Sequence, residues 1–214
     1  MKGIRFGGLH TYDDLRLILS KKEIGSPAVK TKKIDVEGAD GELDLTEFFG
    51  EPKYENVRHK FEFSTIIPQD MFITQFSDIK NALHGKKLQI ILDDEPGAYY
   101  VGRLFVSSFT DEKGIGKVTI EADCEPWKYK AALTVIRQTI TEAATITLAN
   151  ARKRAVPEVR IETDDKLRLT FGFNIWDLGA GSYTLPELEL MAGENMVEVT
   201  GAGTITFTYQ EGDL

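Results

Sequence analysis

The chain has 214 residues, enough for one large or two small domains that each bury a core. Its 34 acidic and 26 basic residues leave a formal net charge of −8, which argues against a nucleic-acid-binding surface, because neutralising phosphates needs clustered Lys and Arg. No apolar run approaches the roughly 18 to 20 residues of a membrane span, and no signal-peptide pattern follows Met1, so a soluble protein made in a cytoplasm is expected.

Residues 4–8 read as a short strand, 11–14 as a turn and 15–19 as a second short strand, which Gly25, Ser26 and Pro27 break. A strand at 32–36 runs into 37–45, so dense in Gly and Asp that it demands a turn with positive φ. A hairpin or extended arm fits it. The acidic residues Asp35, Glu37, Asp40, Glu42 and Asp44 raise the question of calcium. No register supplies ligands at loop positions 1, 3 and 5 with Gly at 6 and Glu at 12, so no metal is expected there.

Periodicity is clearest over 58–124. Phe61, Phe63 and Ile67 alternate with Lys60, Glu62 and Ser64, the pattern of a half-buried strand over 60–67. Pro68 ends it. Asp70 is the expected N-cap of a helix whose stripe is Phe72, Phe76, Ile79 and Leu83, with Gln75, Asp78 and Asn81 facing water. Gly85 stops that helix, and Lys86 and Lys87 lie beside its negative end. Residues 88–92 and 99–109, joined by a turn at 93–97, predict a hairpin. A further strand at 118–124 buries Val118, Ile120 and Ala122. Cys124, the single cysteine, falls on the buried side of that strand; it excludes an internal disulfide and reads as a structural thiol.

After Tyr129 the composition shifts toward Thr, Ala and Gly, which predicts domains at 1–130 and 131–214. Strands at 133–141, 145–149, 159–162, 166–173, 183–190, 196–200 and 204–209, with Leu167, Leu169, Phe171 and Phe173 on one face, point to a helix-free β-sandwich.

An enzyme should show a nucleophile with a base, paired carboxylates in apolar surroundings or a metal cluster. His10, His59 and His84 lie in a turn, at a strand start and at a helix end, without metal-ligand spacing, and the helix dipole accounts for His84. The glycines at 114–117, 179–181 and 201–203 lack the phosphate-loop spacer and sit between strands. No catalytic residue, metal or cofactor is therefore expected. Trp176 and Tyr183 flank a Gly-rich loop and can be read as a sugar-stacking pair or as core and interface rings. Trp127, beside Pro126 and Tyr129, reads as packing at the domain junction.

The run Gly38, Ala39, Asp40, Gly41, Glu42, Leu43, Asp44, Leu45, Thr46, Glu47, continuing to Gly50, Pro52, Lys53 and Tyr54, resembles the signature of the distal tail protein family of long-tailed phages and prophages of Gram-positive bacteria. Similar in order and spacing are Phe6, Gly7, Gly8, Leu9 and His10, then Leu83, His84 and Gly85, the turn at 93–96 before Tyr99 and Tyr100, and residues 124–129. Glu37 stands where the family often has proline. Ala192, Gly193, Glu194 and Asn195 with Ile205, Phe207 and Tyr209 resemble the jelly-roll, galectin-like or carbohydrate-module-like domain that follows in the same family. The resemblance implies a mainly β fold: an N-terminal antiparallel β-sandwich or split-barrel domain carrying one α-helix, then a small C-terminal β-sandwich.

It also implies a structural, non-enzymatic protein of the virion tail tip, made in the host bacterial cytoplasm. Six copies would form a ring through the N-terminal domain, DNA would pass through the opening, and the C-terminal domain would point outward as a docking platform. The implied partners are the tail tube protein, the tape measure protein and a tail-associated or receptor-binding protein, with no membrane and no sequence-specific nucleic-acid binding. Leu43 and Leu45 are expected at the subunit contact, because two leucines in a charged arm must be buried somewhere. A carbohydrate-binding module used in host adsorption, and a hydrolase with an unrecognised site, are the alternatives from other classes.

Overall fold

The computed structural model describes residues 2–48 and 50–214. The chain divides into two units, Met1–Trp127 with Leu214 and Lys128–Asp213, each built on its own apolar core.

The first unit contains β1 (Ile4–Phe6), β2 (Leu9–His10), β3 (Leu17–Glu23), β4 (Lys33–Asp35), β5 (Glu42–Asp44), β6 (Val57–Thr65), α1 (Phe72–Leu83), β7 (Lys87–Leu92), β8 (Ala98–Glu112) and most of β9 (Ile115–Lys130). Seven of these strands lie in one eight-stranded sheet in the order β2-β1-β7-β8-β9-β6-β3, the eighth being a short C-terminal strand paired with the end of β9, while β4 and β5 pair with each other. Strict alternation builds the core: β6 buries Val57, His59, Phe61, Phe63 and Thr65, and β9 buries Gly116, Val118, Ile120, Ala122 and Cys124. In register, Phe61 faces Ile120 and Phe63 faces Val118. The helix covers this row with Phe72, Ile79 and Leu83, and the half-buried Phe76 leans on Phe109 at 5.5 Å between ring centres. Each such side chain contributes about 1.5–3 kcal/mol by leaving water. The helix ends because Gly85 takes a φ of +78° and its N–H donates to the Leu104 carbonyl at 2.7 Å.

Several local expectations are corrected. Asp70 is not the N-cap: it lies in a short 3-10 turn, Gln69–Met71, and Met71 holds the cap position without a side-chain hydrogen bond. Gln75 does not face water, since its amide accepts from Thr65 Oγ1 at 2.5 Å and donates to the Leu15 carbonyl at 2.7 Å. The strand expected at 15–19 starts at Leu17, because Arg16 takes a φ of +55° and keeps Leu15 in the turn. That expected at 60–67 spans Val57–Thr65, which leaves Ile66 exposed. His84 does more than sit at a dipole: its Nδ1 accepts the Val106 N–H at 3.1 Å, beyond the Lys87–Arg103 rung where β7 pairs with β8.

The second unit contains β10 (Thr134–Ile140), β11 (Ala143–Asn150), β12 (Glu158–Glu162), β13 (Leu167–Phe171), β14 (Asn174–Leu178), β15 (Gly181–Thr184), β16 (Gly193–Thr200), β17 (Gly203–Tyr209) and β18 (Gly212–Asp213), the last paired with Lys128 and Tyr129. Two four-stranded sheets, β10-β17-β12-β15 and β11-β16-β13-β14, give the strand arrangement of a jelly roll. Leu148, Val159, Leu167, Leu169, Val199, Ile205 and Phe207 fill the space between them. The turn glycine and asparagine that carry the resemblance hold this unit's backbone in shape. Gly193 takes a φ of +94°, and the buried Asn195 amide donates to Met191 and Leu148 carbonyls while its Oδ1 accepts the Met191 N–H.

Here too the structure departs from the periodicity. The strand expected at 166–173 stops at Phe171, Gly172 turns the chain with a φ of +58°, and Phe173 projects fully into solvent instead of joining Leu167 and Leu169. The strand β14 that follows has no counterpart in the sequence pattern. The one expected at 183–190 is β15, after which Leu185 and Leu188 are buried without being in a strand. The sandwich thus has eight strands where the periodicity predicts seven.

Two outcomes follow from this packing. Ile79→Asp should prevent folding of the first unit, because an unpaired charge in a site 1% exposed costs several kcal/mol against a total of about 5–15. Asp78→Ala, one residue away on the exposed side, should change stability by no more than about 0.5 kcal/mol. Thermal melting of both variants checks the assignment, and a folded Ile79→Asp would refute it. Burial pushes the Cys124 thiol up to about 12, with Asp123 and Glu125 adding to the shift, so the thiolate is essentially absent at pH 8. A disulfide reagent should leave the native thiol unmodified and titrate one thiol after denaturation.

Candidate interaction surfaces

Two constraints at Gly25 determine how an arm leaves the first unit. A Cβ on Gly25 would lie 2.8 Å from the Arg58 carbonyl and 2.9 Å from Val57, so only glycine lets the chain run this close against β6. The Gly25 N–H donates to His59 Nδ1 at 3.2 Å, and burial, opposed by a backbone hydrogen bond, holds the His59 imidazole below its ordinary range and hence neutral at pH 7. Beyond that root the two limbs are tied by the Val29–Tyr54 bridge, by Lys30 N–H to Lys53 O at 2.8 Å, and by Leu45 N–H to Lys32 O at 2.8 Å. At the tip Gly38 and Gly41 take φ of +82° and +77°, as the Gly and Asp density requires.

Among the described residues the arm buries no side chain fully. Every residue of β4 and β5 is exposed. Leu43 is 52% exposed and Phe48 71%, Ile34, Val36 and Val29 are exposed as well, and Leu45 is half-buried. An isolated two-stranded hairpin is marginal in water, and Ile34 and Leu43, opposite one another across it, leave apolar area in contact with solvent. Sequence reasoning singles out Leu43 and Leu45 but passes over Ile34 and Phe48. The signal is present: Ile34 alternates with Lys33 and Asp35 as Leu43 does with Glu42 and Asp44.

Trp176 and Tyr183 are not on a common outer surface of the sandwich. Trp176 stands opposite Leu169 on β14, Tyr183 opposite Val159 on β15, and both half-buried rings pack on the core between the sheets. The Tyr183 hydroxyl donates to the Gly179 carbonyl at 3.2 Å. Trp127 meets Tyr54 edge-on at 5.6 Å. Among the described residues no group of three or more His, Cys, Asp or Glu side chains could hold a metal ion, and no helix is long and apolar enough to cross a membrane.

Two stretches of the motif set 83 residues apart in sequence meet at one corner. His10 Nε2 lies 3.0 Å from Asp93 Oδ2, which also accepts the Gly3 N–H at 2.7 Å, while His10 Nδ1 lies 2.8 Å from Asp13. The conformation needs Gly3, whose Cβ would fall 2.8 Å from both His10 and Thr11. This is a latch that ties the N-terminal strands to the β7–β8 turn.

No protein-family model and no curated protein matches the chain. Among solved structures, the crystal structure of SPP1 Dit (gp 19.1), described as a paradigm of the hub adsorption apparatus in phages infecting Gram-positive bacteria, has a TM-score of 0.75 and 16% identity, and the match covers 100% of each chain. The fold is therefore that of a distal tail protein throughout, which agrees with the resemblance in the motifs and with the mainly β architecture expected from it.

Burial pushes the Asp93 carboxyl up, but the bonds from His10 and Gly3 outweigh it and hold the group below the ordinary aspartate range. A depressed folded value adds stability that is present above the unfolded pKa, about 3.9, and is lost as the pH falls through the folded one. Asp93→Asn should accordingly lower the Tm at pH 6 and reduce the further loss of Tm between pH 5 and pH 3. Equal acid sensitivity in variant and wild type would show that the latch does not carry it.

Proposed function

We propose that this chain is a structural hub protein at the tail tip of a long-tailed phage or prophage, in which six copies close a ring that joins the tail tube to the adsorption apparatus and lets DNA pass. The full-length likeness to a hub adsorption protein carries this reading. The arm supports it independently, because the most specific run of the sequence resemblance includes β5, which with β4 forms a hairpin whose every strand residue is exposed. Residues 1–130 would make the ring and 131–214 a platform for other tail proteins. The tail tube protein, the tape measure protein and a tail-associated or receptor-binding protein are the partners this reading requires. The protein would be made in the host bacterial cytoplasm and end in the virion tail, as scaffold and not as catalyst. A net charge of −8 per subunit suits a conduit, since a polyanion slides past walls that repel it mildly and sticks to walls lined with lysine.

In this reading Leu43 and Leu45 lie at the subunit contact, with Ile34 and Phe48 beside them. Leu43→Asp leaves a folded monomer with unchanged Tm, because its side chain is 52% exposed and outside the core of the first unit, and it abolishes the ring. Electron microscopy of concentrated protein and of isolated tail tips tests this. A tail tip in which the chain occupies no ring, or a ring that survives Leu43→Asp, would overturn it.

A further inference from the structure

The outer face of the sheet β10-β17-β12-β15 has a relief that follows from its side-chain lengths. The middle strand β17 presents Thr204, Thr206 and Thr208, all short and half-buried, between the long exposed side chains of β10 and β12. In register, Arg137 and Arg160 flank Thr206, and Val135 and Glu158 flank Thr208. Flanking strands stand about 9.6 Å apart, twice the inter-strand spacing, so the threonines form the floor of a trough with charged walls. Arg137 Nη2 reaches across to Glu162 Oε2 at 2.9 Å and closes one end. What is left is a hollow of about 320 Å³ lined by Val135, Arg137, Glu158, Arg160, Thr206 and Thr208, together with Glu162. That volume falls within the range of about 300–1,000 Å³ typical of small-ligand sites.

The unused groups identify the ligand chemistry. The Thr204 hydroxyl is engaged by Thr139 at 3.1 Å, but among the described residues those of Thr206 and Thr208 have no hydrogen-bond partner, and Glu158 has no ion pair. Arg160 is held toward Glu162 at 3.4 Å, with donors left over. Two cations and two carboxylates cancel, which disfavours a polyanion. β17 is paired on both sides, so there is no free edge for an extended peptide, and Val135 is the single apolar wall. A neutral polyol matches this alternation of donors and acceptors. Val135, 59% exposed beside Thr208, offers a methyl-sized contact at the open end.

We propose that this hollow binds a neutral saccharide bearing an acetamido group. Glu158 and the hydroxyls of Thr206 and Thr208 take its hydroxyls, Arg160 donates to its oxygens, and Val135 meets the acetyl methyl. The site goes beyond the ring and does not depend on it.

Calorimetry and ligand-observed saturation-transfer NMR on the full chain, with N,N′-diacetylchitobiose and cellobiose as probes, test it. The acetylated disaccharide should bind saturably and more tightly than cellobiose. Glu158→Gln should weaken binding about tenfold through loss of a charge-assisted acceptor, and Val135→Ser should remove the preference for the acetylated sugar. Arg168→Ala, on the other sheet, should leave binding unchanged. These side chains face solvent, and melting curves verify that each variant is folded. No saturable binding of either sugar, or binding unaffected by Glu158→Gln, would overturn the proposal.

Discussion

The first unit depends on close approach between β8 and β9 and its extension under the helix. A Cβ on Gly102 would sit 2.5 Å from the Cys124 sulfur, and one on Gly116 would sit 2.5 Å from Thr65, 3.0 Å from Phe109 and 3.2 Å from Phe72. Both positions are glycine because neighbouring backbone and side chains occupy the space that a methyl would need. With that space filled, Phe72 and Phe76 meet the Phe109 ring, and the stripe of α1 has one way to lie down. Its two ends are then held by polar bonds that leave little slack: Gln75 bridges Thr65 and Leu15 near the start, and His84 and Gly85 bind Val106 and Leu104 at the end. Interiors packed at this density respond to single methylenes, so the helix position is set by glycines on strands it does not belong to.

The arm obeys the opposite rule. It has backbone ladders and turn glycines, hence a defined shape, but among the described residues it buries no side chain fully, so little offsets the ordering of its backbone at about 1–2 kcal/mol per residue. Its root is specified far more tightly than its tip: Gly25, His59 and the Val29–Tyr54 bridge fix the direction in which it departs. The root of this segment is fixed, while both strands beyond it, β4 and β5, are exposed along their length. Exposed leucine and isoleucine on a solvated hairpin are a liability of the kind that folded monomers remove.

Much of this is legible in the residues. The alternation through Phe61 and Phe63, the stripe through Ile79 and Leu83, the stop at Gly85 and the burial of Cys124 each need one periodicity and one punctuating residue, and these are local. The departures have a different origin. Polarity alone makes Asp70 a cap and sends Gln75 to water, yet a 3-10 turn displaces the cap and a partner sixty residues away claims the amide. Phe173 matches the period of Leu167, Leu169 and Phe171, and only the positive φ at Gly172 shows that the hairpin has already turned. The latch between His10 and Asp93, and the trough on the outer sheet of the sandwich, are invisible to any window along the chain because they exist only once strands are in register. The motif residues themselves prove to be joints of the fold: His10, Asp93, Gly193 and Asn195 hold turns and corners in place. Recognition of a family through such residues therefore reports its architecture first.

Symmetry bears on the proposed assembly in the same physical terms. An arm that leaves one subunit and covers a different surface of the next makes a heterologous contact, and such a contact cannot saturate in a dimer. It must close into a ring or continue as a filament, and the angle between successive subunits decides which. Here that angle would be governed by the rigid element of the contact, the Gly25–His59 root packed on β6, while the hairpin beyond it, held by few ladder bonds, can adjust to the neighbour without strain in either core. A stiff root with a compliant tip favours closure, because small errors in the angle are absorbed within each contact and do not accumulate around the ring.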